Sequence, residues 1–309
     1  MKFAIILLIS LAALYLLLVL APAVTFYRVI FKKNRYKADF GKLNESNKYF
    51  LVYPKEFRSA ASFISGLTKD NFEFTVKDGT KILGAIYSAG NSKTAVFLHG
   101  YNTPSLNNFC LQAEFLYKLG FNIVFIYERA HGGSGGVSTM GIKEGDDLLE
   151  LLPFIKEKTK ARQLLVYGMS MGCFALSRVS DKLDKSFVKG IVLDCGFTSV
   201  YNQLKEEMIK RHLPVFLIAP LLTFFTKTFL KIDIKQSADK SLKNCKVPAL
   251  FFHGGADITV PLSEGQKNFK ACGSEKTWYS VPGAAHTLCF PAGGEAEKQL
   301  FDFTEKYFE

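Results

Sequence analysis

The stretch that most constrains this chain is Leu164 to Gly172, LLVYGMSMG. A short apolar run rich in β-formers stops at Gly168 and a small-residue helical stretch follows, so the segment reads as strand, sharp turn and helix. Ser170 stands at the apex of the turn, with glycines two positions before and after it. Glycines at those positions let the backbone bend tightly and let strand and helix approach, which holds a serine hydroxyl out where a base and a substrate reach it. The same string also occurs as a plain structural turn, so the rest of the chain has to decide.

Around this turn, short apolar strands alternate with amphipathic helices: Lys93 to Leu98, Cys110 to Leu119, Asn122 to Tyr127, Ile142 to Lys158, Gln163 to Tyr167, Ser170 to Leu183 and Val188 to Leu193. That rhythm predicts a mostly parallel sheet covered by helices on both faces. Ahead of it, Asn71 to Lys77 and Lys81 to Ser88 alternate apolar with polar around Asp78-Gly79, an antiparallel hairpin signal. The pattern resumes with Val247 to Phe252, a helix near Leu262 to Cys272, Thr277 to Val281 and a helix from Gly294 to Tyr307.

Residues 200–243 break the rhythm. They hold an uncharged run, Leu213 to Phe225, interrupted by Pro214 and Pro220. Such a run is too short to span a bilayer, so the insert is expected to be either a packed helix pair or a lid over a pocket.

At the other end, Phe3 to Tyr27 carries no charge over 25 residues, enough to cross a hydrocarbon layer of about 30 Å as a helix. A signal peptide is the rival, since Ala21-Pro22-Ala23 loosely matches a small-x-small site, but the apolar stretch exceeds the usual core of such peptides. Arg28, Lys32, Lys33, Arg35, Lys37 and Lys42 follow it, against Lys2 before it. The basic bias predicts a single-pass anchor at 1–30, a basic juxtamembrane connector at 31–70 with one helix around Lys55 to Leu67, and a folded domain at 71–309 on the cytoplasmic side. The formal charge of +11 invites a nucleic-acid reading, but the lysines are scattered and the dense cluster adjoins the apolar segment, where anionic headgroups are the simpler partner. The six cysteines show no paired spacing and are expected to be buried thiols.

A serine hydroxyl needs an imidazole base, and the base needs a carboxylate to orient it. Of the five histidines, His286 in GAAH lies just past the last strand, where a loop reaches back toward Ser170. His99 and His253 are each followed at once by glycine, the mark of a histidine pinning a turn, while His131 and His212 read as a loop and an insert residue. For the acid, Asp257 in HGGADITVP follows the penultimate strand; Asp194, ending LDCG, is the rival. The order Ser170, Asp257, His286 matches nucleophile, acid and histidine in an α/β-hydrolase. Two amide donors for an oxyanion are expected at Met171, directly after the serine, and at Tyr101 in the loop after the third strand. The glycine-rich HGGSGG at 131–136 lacks the lysine and hydroxyl of a phosphate loop and reads as a flexible rim loop. No HExxH occurs, and neither metal nor cofactor is expected.

HGY at 99, YERAHGGSGG at 127, GMSMG at 168, LDCGFTS at 193, HGGADITVP at 253 and VPGAAH at 281 together resemble the α/β-hydrolase superfamily. More narrowly they resemble the membrane-anchored bacterial branch described as serine aminopeptidase-like or prolyl oligopeptidase-like hydrolases. The resemblance covers roughly residues 70–309. It implies an eight-stranded sheet, Ser170 as nucleophile, Asp257 as acid, His286 as base, and Tyr101 and Met171 as oxyanion donors. One block departs from the usual Asp-x-Arg-Gly-His-Gly string, with Glu128 and Ala130 altering that loop. The fold carries esterases, lipases, thioesterases and peptidases alike. The sequence is consistent with a serine hydrolase of lipophilic esters, a peptidase or thioesterase with the same residues, or a membrane scaffold without chemistry.

Overall fold

The computed structural model describes residues 1–31, 52–292 and 294–308. Most of the basic cluster, Lys32 to Lys42, lies outside the described residues. Those described fall into two compact units: the N-terminal helix together with Ser199–Gln236, and an α/β unit formed by the rest.

In the α/β unit the Asp78-Gly79 turn joins β1 (Lys69–Thr75) to β2 (Lys81–Tyr87), with Gly79 at φ 82°. Only a residue without a Cβ takes that conformation at little cost. The remaining strands are β3 (Lys93–Leu98), β4 (Asn122–Tyr127), β5 (Gln163–Met169), β6 (Val188–Asp194), β7 (Ala249–Gly254) and β8 (Lys276–Val281). They form one eight-stranded sheet in the order β1-β2-β4-β3-β5-β6-β7-β8, antiparallel at β1/β2 and β2/β4 and parallel from β4 to β8. Strands β3 and β5 are fully buried but for their first residues, as strands covered on both faces must be.

The helices follow the strands. In chain order they are α1 (Lys2–Ile30), α2 (Pro54–Gly66), α3 (Ser105–Lys118), α4 (Ile142–Thr159), α5 (Met171–Val179), α6 (Val200–Lys210), α7 (Val215–Leu230), α8 (Asp239–Asn244), α9 (Leu262–Ala271), α10 (Cys289–Ala292) and α11 (Gly294–Tyr307). α3 starts at Ser105, earlier than the apolar period alone suggests. Pro104 presets an extended residue ahead of it, and the buried Asn108 side chain accepts from Gly100 N–H at 2.7 Å. Beneath the centre of the sheet Phe97 packs on Phe109, Phe125 and Tyr167, with ring centroids 4.7, 5.5 and 5.7 Å away. This aromatic cluster lies directly under the loops that follow β3, β4 and β5, and it gives the site a rigid floor.

In the smaller unit, α6 begins at Ser199, whose hydroxyl accepts from Asn202 N–H at 3.1 Å as an N-cap. The insert closes where Tyr201 N–H donates to Ile234 O at 2.9 Å. α1 is 29 residues long and contains an 18-residue stretch of mean hydropathy 3.0, long and apolar enough to cross a membrane.

Candidate active site

Ser170 sits between β5 and α5 at φ 53° and ψ −108°, a backbone conformation that an L-residue holds only when its surroundings enforce it. Three contacts enforce it. Ser170 N–H donates to Asp194 O at 2.8 Å, Gly172 N–H donates to His99 O at 3.2 Å, and Phe174 N–H donates to Ser170 O at 3.0 Å. The glycines are steric requirements. A Cβ on Gly168 would lie 2.4 Å from Gly172 O, and one on Gly172 would lie 2.2 Å from Leu98 O.

The loop after β8 carries His286 back to this turn. Its Nε2 lies 3.0 Å from Ser170 Oγ, and its Nδ1 lies 2.6 Å from Asp257 Oδ2. Asp257 is fixed in turn, because its Oδ1 accepts from Thr259 N–H at 2.8 Å and Val260 N–H at 2.9 Å. The structure therefore brings Ser170, His286 and Asp257 into one hydrogen-bonded line. His286 and Asp257 are both buried.

Asp194 is committed elsewhere. Tyr167 Oη–H donates to its Oδ2 at 3.0 Å and Cys195 Sγ–H to its Oδ1 at 2.8 Å. Burial pushes its carboxyl up to about 6. Burial also drives the Cys195 thiol well above its ordinary range, so that it remains a neutral donor. Its sulfur accepts from Thr287 N–H at 3.2 Å, which ties the His286 loop to the end of β6. Cys195, Asp257 and His286 offer ligand atoms within 4.8 Å of one another, but each of them is already engaged in these hydrogen bonds.

Of the two expected amide donors, Met171 directly follows Ser170 and Tyr101 stands in the loop after β3. Met171 opens α5, where the first N–H groups have no acceptor within the helix and the dipole favours negative charge. Tyr101 follows Gly100, and a Cβ on Gly100 would lie 3.6 Å from Ser170 Cβ. Two further histidines shape this loop. His131 Nδ1–H donates to Arg129 O at 2.7 Å, leaving Nε2 to accept Asn102 N–H at 3.1 Å. His99 Nε2 accepts Glu128 N–H at 3.1 Å. His253 lines up with Val260 O at 3.0 Å and steadies the Asp257 loop.

The 131–136 segment, expected to be a flexible rim, is tied down. Ser134 Oγ–H donates to Tyr127 O at 2.6 Å and accepts Leu83 N–H at 2.8 Å. Ala130 stands at φ 63°, a place that suits glycine. Arg129 belongs to the YERAHGGSGG block, but the sequence named no partner for it. It is buried, and its guanidinium holds Asp147 and Asp78, the latter at 2.7 Å. That contact keeps the Asp78 carboxyl below the usual carboxylate range. Arg129 thus ties the β4 loop to the hairpin turn and to α4. A small cavity between them is lined by Ile82, Leu98, Glu128, Glu144 and Asp147.

No protein-family model matches the chain. An esterase from Pyrococcus furiosus superposes with a TM-score of 0.64 at 23% identity, over 83% of this chain and 94% of that one. The chain has the α/β-hydrolase fold. An acylaminoacyl peptidase from Pyrococcus horikoshii shares that fold with a TM-score of 0.55 and 18% identity, over 80% of this chain and 44% of the peptidase. In sequence, the uncharacterised YqkD of Bacillus subtilis is 27% identical over 206 residues, 64% of this chain and 66% of YqkD. The chain thus spans about two thirds of that relative's length.

Proposed function

We propose that the chain is a serine hydrolase that cleaves carboxylic esters through an acyl-enzyme. The observation that carries this reading is the continuous contact from Ser170 Oγ through His286 Nε2 and Nδ1 to Asp257 Oδ2, at 3.0 and 2.6 Å. In this reading His286 Nε2 takes the Ser170 proton as Oγ attacks the ester carbonyl. Asp257 keeps Nδ1 protonated and stabilises the imidazolium that forms. Negative charge on the carbonyl oxygen falls to the Met171 and Tyr101 N–H groups. His286 then returns the proton to the departing alkoxide. It activates water for the second half of the reaction, which frees the acid and restores Ser170.

A lipophilic acyl group fits best. The insert between β6 and β7 exposes Phe216, Phe224 and Phe229, side chains with no reason to face water. The N-terminal helix would tether the α/β unit to a membrane, with that unit on the cytoplasmic side. Cleavage of peptide bonds or thioesters with the same residues is the second reading. It is supported by the fold shared with the Pyrococcus horikoshii acylaminoacyl peptidase.

Hydrolysis of a p-nitrophenyl ester series by the full chain in detergent tests the proposal. Medium-chain esters should be preferred, and Ser170→Ala should lower kcat by roughly 10³-fold or more. Turnover undiminished in Ser170→Ala would remove the reading.

A further inference from the structure

From Val215 to Thr226, helix α7 carries no charged side chain on any side. Its inward face buries Ile218, Ala219, Leu222 and Thr226, as a packed helix should. Its outward face is no more polar: Phe216 is 78% exposed and Phe224 60%, and Leu217 and Pro220 lie on the same side. A surface helix in water normally carries charge there, and one that is apolar all round is buried in protein or in lipid. From Leu213 to Thr226 there is no charged side chain, and the run is bounded by Lys210 and Arg211 on one side and by Lys227 and Lys231 on the other. Glu207 accompanies the first pair, 3.6 Å from Arg211.

The position of α7 within its unit says which apolar medium it meets. Tyr27, near the end of α1, packs against Phe225 and Phe229 of α7 with ring centroids 5.7 and 6.3 Å away. A helix of 29 residues is about 43 Å long, more than the roughly 30 Å of a hydrocarbon core. With α1 spanning the membrane as proposed, Tyr27 and Arg28 fall at the headgroup level, where an aromatic and a cation are at home. An apolar run the length of Leu213 to Thr226 covers only about 21 Å, too short to cross.

We infer that α7 is a membrane-interface helix. It lies in one leaflet beside the end of α1, with Phe216 and Phe224 among the acyl chains and its flanking Lys and Arg side chains at anionic headgroups. The bilayer is continuous with the surface of α1, and the basic borders of the apolar run match the charge of anionic lipid. The inference rests on the membrane-anchor part of the proposed function and extends it. The segment joining β6 to β7 is then held at the lipid surface, which makes a membrane-resident acyl lipid the natural substrate class for the proposed ester chemistry.

The test is tryptophan quenching in the full chain, reconstituted in phosphatidylcholine–phosphatidylglycerol vesicles with brominated acyl chains. Trp278, the one tryptophan of the chain, is first replaced by Phe. Phe216→Trp and Phe224→Trp are then made singly in that background, with Tyr15→Trp in the middle of α1 as the anchor control. The expected result is blue-shifted emission from positions 216 and 224 that is largely lost to bromine and is unaffected by aqueous iodide. Quenching at position 15 alone, with 216 and 224 open to iodide, overturns the inference and leaves the anchor standing. Loss of bromine quenching at position 15 as well overturns both. Because quenching needs no turnover, the same measurements in a Ser170→Ala background separate this inference from failure of the hydrolase reading.

Discussion

Asp257 divides its two carboxylate oxygens between two tasks: Oδ2 faces His286 Nδ1 at 2.6 Å, while Oδ1 accepts the amides of Thr259 and Val260. The amides fix the carboxylate, and the carboxylate fixes the imidazole tautomer that leaves Nε2 free to accept from Ser170. Asp257→Asn keeps the shape but offers the amide end in place of an acceptor. It should lower kcat by about 10³- to 10⁴-fold with the fold intact. Asp194→Asn, whose side chain meets Tyr167 and Cys195 instead, should stay within about tenfold of the wild type. Steady-state kinetics of the two variants, side by side, decide between them.

Asp194 has a pH signature of its own. Burial raises its carboxyl to about 6, above the usual unfolded value of about 3.9. Between these values the folded chain binds the proton more tightly than the unfolded chain does. This group's contribution to stability is therefore full below about pH 4 and declines as pH rises through about 6. Melting temperatures across that window should fall with pH more steeply in the wild type than in Asp194→Asn. Parallel curves would show that Asp194 titrates normally.

Gly172→Ala is expected to destabilise the chain even though it adds one methyl group. The new Cβ would sit 2.2 Å from Leu98 O, backbone that cannot rotate away. Overpacking of this kind costs about 1–3 kcal/mol or more, and the strained Ser170 turn would shift with it. Thermal melts should show a lower Tm, and ester hydrolysis should drop by more than the loss of folded protein explains.

Arg129 is the opposite case, a charge that matters when it is lost. Arg129→Met leaves Asp147 buried without its cation, which typically costs about 3–5 kcal/mol. The double variant Arg129→Met, Asp147→Leu removes both charges and should recover much of that loss. Denaturant unfolding of the two variants measures the recovery, and equal destabilisation of both would deny the ion pair its role.

The contrast between Ser170 and Arg129 marks what a single sequence reveals. The hairpin at Asp78-Gly79, the buried strands and the Gly-x-Ser-x-Gly turn are local patterns, written within a few residues, and each appears in the structure where its pattern lies. Ser170, Asp257 and His286 were legible because chain order and strand ends place them, although their distances were not. The ion pairs of Arg129 were silent, since its partners Asp78 and Asp147 stand 51 and 18 residues away and nothing local couples them. His131 read as a loop residue, and its grip on Asn102 N–H depends on β3 and β4 lying side by side. The exchange of β3 and β4 in the sheet order is likewise a matter of pairing, which periodicity does not encode. The same holds for Tyr27 against Phe225: both segments read as apolar, but only three-dimensional packing joins them.

In the proposed hydrolase, His286 activates Ser170. Labelling of the detergent-solubilised full chain with a fluorophosphonate, followed by peptide mass spectrometry, tests it most directly. One phosphonylated residue, Ser170, is expected, with labelling abolished in Ser170→Ala and slowed by orders of magnitude in His286→Ala. A folded wild-type chain that takes no label, or His286→Ala labelling at the wild-type rate, would contradict it.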